Sequence, residues 1–368
     1  MPLLRTSLYD QHIKLGARMT GFGGFEMPVQ YTSITDEHLA VRNAAGMFDV
    51  SHMGEFLVSG PNAATYVQRL ISNDVAQLYD GRVMYSVMCN EAGGIVDDLL
   101  VYRISDSRFM LVVNASNMEK DWAWAVSQNR VGADLRNVSR EVALIAVQGP
   151  AATGIVQAVT SVDLSDLKFY HFVEAAAGDP FGGSFQLISH SGYTGERGFE
   201  LYTSADSAVR LWTVLMEAGR DSGLKPAGLG ARDTLRIEAG YCLYGNDIDD
   251  ETNPLEAGLG WITKLDKGSF VGSEALQKIK DAGISRQLVA FVMQDRGIPR
   301  SGYPILNASG DAIGTVTSGS QSPVLNAGIG MGYVPNDPAY RSPGSNLFIE
   351  VRGKRLAAEV RKPPLHKS

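Results

Sequence analysis

Three clusters of charged and aromatic residues in this sequence could carry chemistry. In the first, the adjacent carboxylates Asp97 and Asp98 stand between a Gly-Gly turn and the apolar run Leu-Leu-Val-Tyr102. Neighbouring residues of a strand point to opposite faces, so one carboxylate of the pair is expected to face inward. An inward carboxylate beside Leu and Val is either paired or has a raised pKa, as a general base or an anchor for an amine-bearing ligand would. A plain Asp at a hairpin turn is the structural alternative.

The other two clusters combine acids with an aromatic ring or with arginines. One reads Ser-Gly-Tyr193-Thr-Gly-Glu-Arg-Gly-Phe-Glu200, in which turn glycines flank the ring and the acids. The other contains Arg232 and Arg236, which are four residues apart and therefore share one face of a predicted helix. Taken singly, each cluster is also compatible with a salt-bridged surface.

Several common kinds of site are missing from the sequence. The six histidines include no pair at His-x-His or His-x-x-x-His spacing, so a histidine-built metal site is not expected. A Gly-x-Ser-x-Gly nucleophile elbow and a Walker motif are absent. Gly228-Leu-Gly230 and Gly328-Ile-Gly330-Met-Gly332 lack the spacing of a dinucleotide loop, so both are predicted to be turns. We therefore expect no metal and no nucleotide cofactor.

Composition and charge are those of an ordinary globular protein. The 368 residues, 44% hydrophobic and 20% charged, predict two or three domains. A net charge of −7 argues against a nucleic-acid partner bound through bulk phosphate attraction. Cys89 and Cys242 are too few for a disulfide framework. Because the sequence has neither an apolar run of membrane-span length nor a signal- or transit-peptide pattern, a cytoplasmic protein with no membrane partner is expected.

The balance of charge changes sign near residue 285. Residues 286–368 contain ten Lys or Arg and five Asp or Glu, whereas the preceding residues are strongly acidic. This change predicts one region over 1–284 and a C-terminal domain over 285–368. Short predicted strands with Gly, Pro and Asn turns between them indicate a small antiparallel barrel or sandwich in that domain. These strands are Gln287–Met293, Ile313–Ser318, Ile329–Val334, Asn346–Arg352 and Arg355–Arg361.

The first region mixes strands and helices. Glu55–Leu70 and Ala143–Val159 resemble each other, since each has an apolar strand, a Gly-Pro pair and a helix with the proline near its first turn. Further helices are predicted over 117–127, 207–219 and 231–240. The order of elements is not a regular βαβ alternation, so it favours α+β subdomains over a doubly wound parallel sheet.

Together the clusters resemble one known family. From Thr6 to Pro364 the chain is similar to the T-protein family, the aminomethyltransferases of the glycine cleavage system. The resemblance is carried by RNAAGMFDVSHMGEF (42–56), YSVMCNEAGGIVDDLLVY (85–102), SGYTGERGFEL (191–201), PAGLGARDTLRIEAGYCLYG (226–245) and TSGSQSPVL (317–325). It implies a three-domain folate-binding α+β fold, in which two interleaved α+β subdomains and a C-terminal antiparallel β-barrel surround a central opening.

The resemblance also implies a reaction and its partners. In this family an aminomethyl-derived one-carbon unit passes from the dihydrolipoyl arm of an H-protein to tetrahydrofolate, the co-substrate. Ammonia and 5,10-methylenetetrahydrofolate are the products. A lipoylated H-protein is therefore the expected partner, with other glycine cleavage components as further candidates. A folate-dependent demethylase that uses another one-carbon donor and a non-catalytic folate-binding protein are the alternatives.

The family's site residues can be carried over to matching positions. By the resemblance, Asp98 is the catalytic residue, Glu200 accepts hydrogen bonds from the amino-pyrimidine edge of the pterin, and Arg232 contacts the folate. The other pocket positions carry aromatic, thioether or amide side chains, most of them suited to the pterin and aminobenzoyl rings. They are Met53, Tyr85, Tyr102, Asn114, Tyr193 and Tyr241.

The C-terminal segment is strongly basic. Its cations are Arg352, Lys354, Arg355, Arg361, Lys362 and Lys367. Such a patch could dock an acidic carrier protein, because opposed local charges steer encounter even between partners of like net charge. It could instead bind the polyglutamate tail of a folate, or be a solvated barrel edge.

Overall fold

The computed structural model describes residues 2–183 and 186–367 of the chain, and these residues form two compact units. The first unit comprises Met1–Leu70, Val75–Ser86 and Leu99–Arg232, and the second comprises Ile71–Asp74, Val87–Asp98 and Asp233–Ser368. The chain therefore passes into the second unit and back twice, at residues 71–74 and 87–98, before it enters the second unit finally at Asp233. The boundary predicted near residue 285 stays a prediction.

The helices are short and amphipathic. They are α1 (Tyr9–Lys14), α2 (Ile34–Asn43), α3 (Ala63–Leu70), α4 (Met118–Gln128), α5 (Ala152–Gln157), α6 (Ala208–Ala218), α7 (Leu229–Ala239), α8 (Ser273–Ala282) and α9 (Pro338–Arg341). The three further helices predicted from the sequence are confirmed as α4, α6 and α7, with ends that differ by at most two residues. In the described part of the chain, none of the helices has the length and apolar character needed to cross a bilayer.

The strands form two larger sheets, a two-stranded ribbon and a barrel. They are β1 (Arg18–Phe22), β2 (Phe25–Gln30), β3 (Ala45–Asp49), β4 (Gly54–Ser59), β5 (Arg82–Cys89), β6 (Ile95–Ser105), β7 (Arg108–Val113), β8 (Asp134–Asn137), β9 (Val142–Gln148), β10 (Phe172–Glu174), β11 (Leu187–Ser189), β12 (Gly198–Ser204), β13 (Leu224–Pro226), β14 (Arg286–Met293), β15 (Pro304–Leu306), β16 (Ala312–Ser322), β17 (Ala327–Pro335), β18 (Asn346–Val351) and β19 (Lys354–Val360).

A six-stranded sheet of order β10-β11-β12-β9-β3-β13 lies in the first unit. Its central strand β9 is buried at every residue, as expected for an apolar run covered on both faces. The apolar core on this sheet includes Trp212 and Leu215 of α6 and Ile155 of α5. The predicted strand–helix pairs are confirmed as β4 followed by α3 and β9 followed by α5.

A five-stranded sheet has the order β5-β6-β7-β4-β8. The connected ends of β5 and β6, residues 87–98, belong to the second unit. There the Ile95 N–H is shared between the carbonyls of Asp249 and Thr252 at 3.1 and 2.9 Å, and the Asn90 side chain donates to the Asp250 carbonyl at 2.9 Å. This early segment is therefore hydrogen-bonded to backbone that comes about 150 residues later in the chain.

The C-terminal strands close into an antiparallel barrel of order β14-β17-β16-β15-β18-β19, in which β14 also pairs with β19. Its interior is apolar and includes Phe291, Val316 and Ile349. All five strands predicted for this region are present, and the three-residue β15 was missed because it is too short to show alternation. The α+β fold with a C-terminal barrel is thus confirmed.

The prediction that the two glycine-rich stretches are turns is wrong. Gly230 lies within α7, and Gly330 and Gly332 lie within β17. A Cβ on Gly330 would lie 2.6 Å from the Phe291 ring and 2.9 Å from the Ser318 carbonyl oxygen. Gly330 and Gly332 are therefore needed because neighbouring groups approach β17 closely, rather than for a change of chain direction.

A buried ion pair joins α7 to the barrel inside the second unit. The Arg236 guanidinium donates to Asp247 at 2.7 Å and to the Ser318 hydroxyl at 2.8 Å, and the two charged side chains are 2% and 0% exposed. Asp247 also accepts from the Thr317 hydroxyl at 2.5 Å and from the Leu243 N–H at 2.9 Å. The pair is thus hydrogen-bonded on several sides, which a buried ion pair requires.

Replacing Asp247 with alanine is expected to destabilise the protein strongly. The substitution removes the buried counter-charge of Arg236 and leaves only the half-exposed Asp233 carboxylate, 2.9 Å away, so the cost is expected at the lower end of the range of about 3–5 kcal/mol for breaking a buried pair. The control is Arg136→Gln, since Arg136 pairs with Glu141 at an exposed surface, where such pairs contribute about 0–1 kcal/mol. Urea unfolding of the wild type and of the two variants measures both losses of stability. Equal losses in the two variants would contradict this account of Arg236.

Candidate functional site

The centre of the candidate site is the carboxylate of Glu200, which is 7% exposed on β12. The Ser191 hydroxyl donates to its Oε2 at 2.5 Å. Burial raises the pKa of Glu200, while the Ser191 hydrogen bond and the positive charge of Arg232 counteract that increase. A carboxylate has about four lone-pair positions, so Glu200 keeps acceptor capacity for a ligand.

Arg232 and Tyr193 provide the charge and the aromatic ring beside this carboxylate. Arg232 is half-buried in the first turn of α7, and its guanidinium lies 4.7 Å from the centre of the Tyr193 ring. This is a cation–π geometry, which orients the guanidinium plane. Two of the three sequence clusters are therefore brought together in the first unit, because Glu200 and Tyr193 interact with Arg232 electrostatically.

Two buried tyrosines continue the polar network. The Tyr102 hydroxyl donates to Ser189 at 3.1 Å, and the Tyr202 hydroxyl donates to Tyr102 at 2.9 Å. Burial raises the pKa of both phenols above the ordinary value, so both remain protonated donors. Tyr102 was predicted, whereas Tyr202 was missed. The available signal was its position two residues after Glu200, which places both side chains on one face of β12.

Two further buried polar groups near this network were not predicted. Burial and the Arg232 charge lower the pKa of His52 to about 4, so its imidazole is neutral near pH 7. Burial alone raises the pKa of Glu55 well above its usual range. Within residues 2–183 and 186–367, His52 Nδ1 and both Glu55 oxygens lack a hydrogen-bond partner. An acid inside the otherwise apolar strand β4 was the sequence signal for Glu55.

Three other predicted residues lie on the five-stranded sheet or at its ends. Gly54 of β4 pairs with Val113 of β7, so Met53 and Asn114, the next residues outward, lie at the same end of these two strands. Both side chains are half-buried, as is Tyr85 on β5. Their positions in the first unit are therefore compatible with lining a pocket.

Asp98 and Tyr241 belong to the second unit. Asp97 is fully buried and Asp98 half-buried, which confirms the predicted alternation on β6. The pKa of Cys242, the residue after Tyr241, is raised. Burial is the largest cause, followed by the negative charges of Asp247 and Asp98. The inward carboxylate is thus Asp97, so local geometry does not single out Asp98 as the functional one. The family resemblance alone does so.

Arg355 and Arg361 of the basic C-terminal segment contact neighbouring groups within the second unit. Arg355 lies 3.6 Å from the centre of the Phe348 ring and donates to the Ala308 carbonyl at 2.7 Å, and Arg361 donates to Glu359 at 3.3 Å. The remaining cations of the segment are exposed, namely Arg352, Lys354, Lys362 and Lys367. They are accessible to an acidic partner.

These features define a class of protein. A buried carboxylate with acceptor capacity, a half-buried arginine and aromatic rings together suit a planar organic ligand that presents N–H donors. Among the described residues, no group of three or more His, Cys, Asp or Glu side chains is arranged to hold a metal ion. The chain is a ligand-binding α+β protein with a C-terminal β-barrel.

Comparison with known proteins narrows this class to one family. The model of the GCVT N-terminal domain matches residues 8–267, and that of the glycine cleavage T-protein C-terminal barrel domain matches residues 286–367. The chain therefore belongs to the glycine cleavage T-protein family. It is 54% identical to an aminomethyltransferase of Halothermothrix orenii and 52% identical to one of Phocaeicola vulgatus, over 98% of this chain and 99% of each relative.

A solved structure agrees with this assignment. The crystal structure of glycine cleavage system aminomethyltransferase T from Bartonella henselae superimposes with a TM-score of 0.91 at 36% sequence identity. The match covers 99% of this chain and 98% of the other. The fold expected from the family resemblance is thus supported by a protein of known structure over the full length of the chain.

The buried imidazole of His52 predicts a specific pH dependence of stability. The folded protein keeps His52 neutral down to about pH 4, whereas the unfolded chain protonates it below about pH 6.5. Between these values the unfolded state binds the extra proton, so stability falls as the pH falls, by roughly 3 kcal/mol in total.

The measurement is the unfolding free energy of the wild type and of His52→Gln between pH 4 and pH 7. Subtracting one curve from the other removes the contributions of other titrating groups. We expect the wild type to lose more stability than the variant on acidification. If the difference in unfolding free energy between the two proteins does not change with pH, His52 takes up its proton as readily in the folded protein as in the unfolded chain.

Proposed function

We propose that this T-protein family member transfers the aminomethyl-derived one-carbon unit from the dihydrolipoyl arm of an H-protein to tetrahydrofolate, releasing ammonia and forming 5,10-methylenetetrahydrofolate. The observation that carries the proposal is the buried Glu200 carboxylate beside Arg232 and Tyr193. Full-length similarity to proteins named aminomethyltransferase supports the same reaction class.

The residues of the first unit fit a reduced folate. The pyrimidine edge of a pterin presents adjacent N–H donors, which an ionised carboxylate such as Glu200 can accept. Arg232 supplies a positive charge that favours the ionised form of this carboxylate, and it suits the carboxylates or carbonyls of the folate. Tyr193, Tyr102 and Tyr85 offer rings for the planar parts of the ligand. Met53 and Asn114 complete the proposed lining on the first unit.

On the family resemblance, Asp98 is proposed as the catalytic residue and Tyr241 as a pocket residue. A half-buried carboxylate can orient the folate and exchange protons as its nitrogen attacks the one-carbon unit. Its fully buried neighbour Asp97 is less accessible to a ligand. Tetrahydrofolate supplies the nitrogen nucleophile, and the remaining task of the chain is to bind, orient and move a proton.

The proposal includes partners, location and domain boundary. A lipoylated H-protein is the proposed carrier, and the exposed cations Arg352, Lys354, Lys362 and Lys367 are the proposed contact for its acidic surface. A cytoplasmic location and a division into 1–284 and 285–368 are proposed on the sequence arguments. Incubation with aminomethyl-loaded H-protein and tetrahydrofolate tests the proposed reaction and carrier, since only the transferase releases ammonia. Methyltetrahydrofolate formation would instead indicate a demethylase.

Asp98→Asn is expected to lower the turnover number by about 10²-fold or more, because it keeps the volume but removes the charge that exchanges protons. The matched control is Asp97→Asn. Since Asp97 is fully buried, that change is expected to lower stability by about 1–3 kcal/mol while reducing turnover less. Steady-state assays and thermal unfolding measure both effects. Equal or larger loss of turnover at Asp97 would show that the catalytic aspartate was misassigned.

Glu200→Gln is expected to weaken tetrahydrofolate binding by about tenfold or more. The amide loses the charge that strengthens each N–H hydrogen bond, and tenfold corresponds to about 1.4 kcal/mol. Isothermal titration calorimetry measures the change. Glu141→Gln is the control, because Glu141 pairs with Arg136 at an exposed surface. Wild-type affinity in the Glu200 variant would remove this residue from the site.

A further inference from the structure

A continuous run of hydroxyl groups in the first unit ends at the Glu200 carboxylate. The oxygen–oxygen distances are 2.9 Å from Tyr202 to Tyr102, 3.1 Å from Tyr102 to Ser189, 2.8 Å from Ser189 to Ser191 and 2.5 Å from Ser191 to Glu200. These four hydroxyl residues are called the hydroxyl chain below. They connect β12 to β6 and return to β12 through β11 and the residues that follow it.

The direction of the hydroxyl chain follows from proton counting. The Ser191 hydroxyl lies within donating distance of both Ser189 and Glu200. In the ionised state of Glu200 the carboxylate only accepts hydrogen bonds, so in that state Ser191 uses its one proton on Glu200. Ser189 must then donate to Ser191 and accept from Tyr102. Tyr202 donates to Tyr102 in turn. All four hydroxyls therefore donate toward the carboxylate, and none donates away from it.

The far end of the hydroxyl chain contains no competing charge. Glu55 acts electrostatically on Tyr202, and within residues 2–183 and 186–367 neither Glu55 oxygen has a hydrogen-bond partner. Burial raises the pKa of Glu55 well above its usual range, which favours the neutral form of this carboxyl. A neutral carboxyl does not draw the Tyr202 proton away from Tyr102.

We propose that the hydroxyl chain keeps Glu200 ionised and oriented for its ligand, and that Tyr202 is a positioning residue that acts through it. Aligned hydrogen bonds polarise one another, and donors to a carboxylate favour its charged form. The inference rests on the proposed function, in which Glu200 accepts the N–H donors of the pterin. The other titratable groups facing this network are Arg232 of α7 beside Glu200 and Glu55 of β4 beside Tyr202.

The test is the pH at which Glu200 becomes protonated, followed through its carboxyl infrared band. Glu200→Gln assigns the band, and no ligand is needed. Ser191→Ala is expected to move the midpoint upward by about one pH unit or more, because a direct donor to the charge is lost. Ser189→Ala and Tyr202→Phe are expected to move it in the same direction by successively smaller amounts, down to about a few tenths of a pH unit.

Two control variants separate this effect from general disturbance of the core. Tyr66→Phe also removes a buried phenol, which donates to the Ala125 carbonyl at 2.7 Å outside the hydroxyl chain, and it should leave the Glu200 midpoint unchanged. Glu55→Gln keeps the far end neutral and should leave it unchanged as well. A graded upward movement in the hydroxyl-chain variants alone supports the proposal. Unmoved midpoints in Ser189→Ala and Tyr202→Phe, or equal movement in Tyr66→Phe, would overturn it.

Binding of tetrahydrofolate gives the functional readout. Affinity should fall as the pH drops through the Glu200 midpoint, and in Tyr202→Phe the fall should begin at higher pH than in the wild type. A uniform loss of affinity at every pH would show a merely structural role for Tyr202. If the wild type binds no tetrahydrofolate while the infrared midpoints still move, the proposed function fails and the hydroxyl chain stands.

Discussion

The cost of burying a carboxylate organises the first unit of this protein. Glu200 lies in the interior of a sheet, where an isolated negative charge would be strongly disfavoured. The structure offsets that cost with a charge on α7 and with hydroxyls on neighbouring strands rather than with a full salt bridge. Donors that hold the anion without neutralising it leave its outer lone pairs free for a ligand. Binding chemistry and local stability therefore depend on the same hydrogen bonds.

In the second unit the cost of burying a charge is offset in a different way. Its buried pair, Arg236 and Asp247, is closed, because both partners are surrounded by further donors and acceptors of the chain itself. Such a pair fixes α7 against the barrel but has little capacity left for anything else. The two arginines on one helix, which the sequence presents as equivalent, thus differ: Arg232 faces a carboxylate with spare acceptors, and Arg236 faces one that is saturated.

Sequence reasoning predicted the elements more completely than the site. Long motifs identified the family, and periodicity located α4, α6, α7 and five barrel strands, because these signals are local. The sequence did not predict Tyr202, His52 and Glu55, because their importance arises only when separate parts of the chain meet. The glycines of β17 were misassigned for the same reason: a turn and a close strand contact both need glycine, and only the packing around Gly330 distinguishes them.

The hydrogen bonds of the 87–98 segment have a consequence for synthesis of the chain. Ile95 pairs with backbone near residue 250, so it leaves the ribosome well before its partners exist. At about 5–20 residues per second the delay is roughly ten to thirty seconds. During that time the Ile95 N–H and the Asn90 side chain of this hairpin lack their partners among residues 249–252. Neither unit is a contiguous stretch of sequence, so a fragment that stops at residue 232 would lack what this hairpin needs.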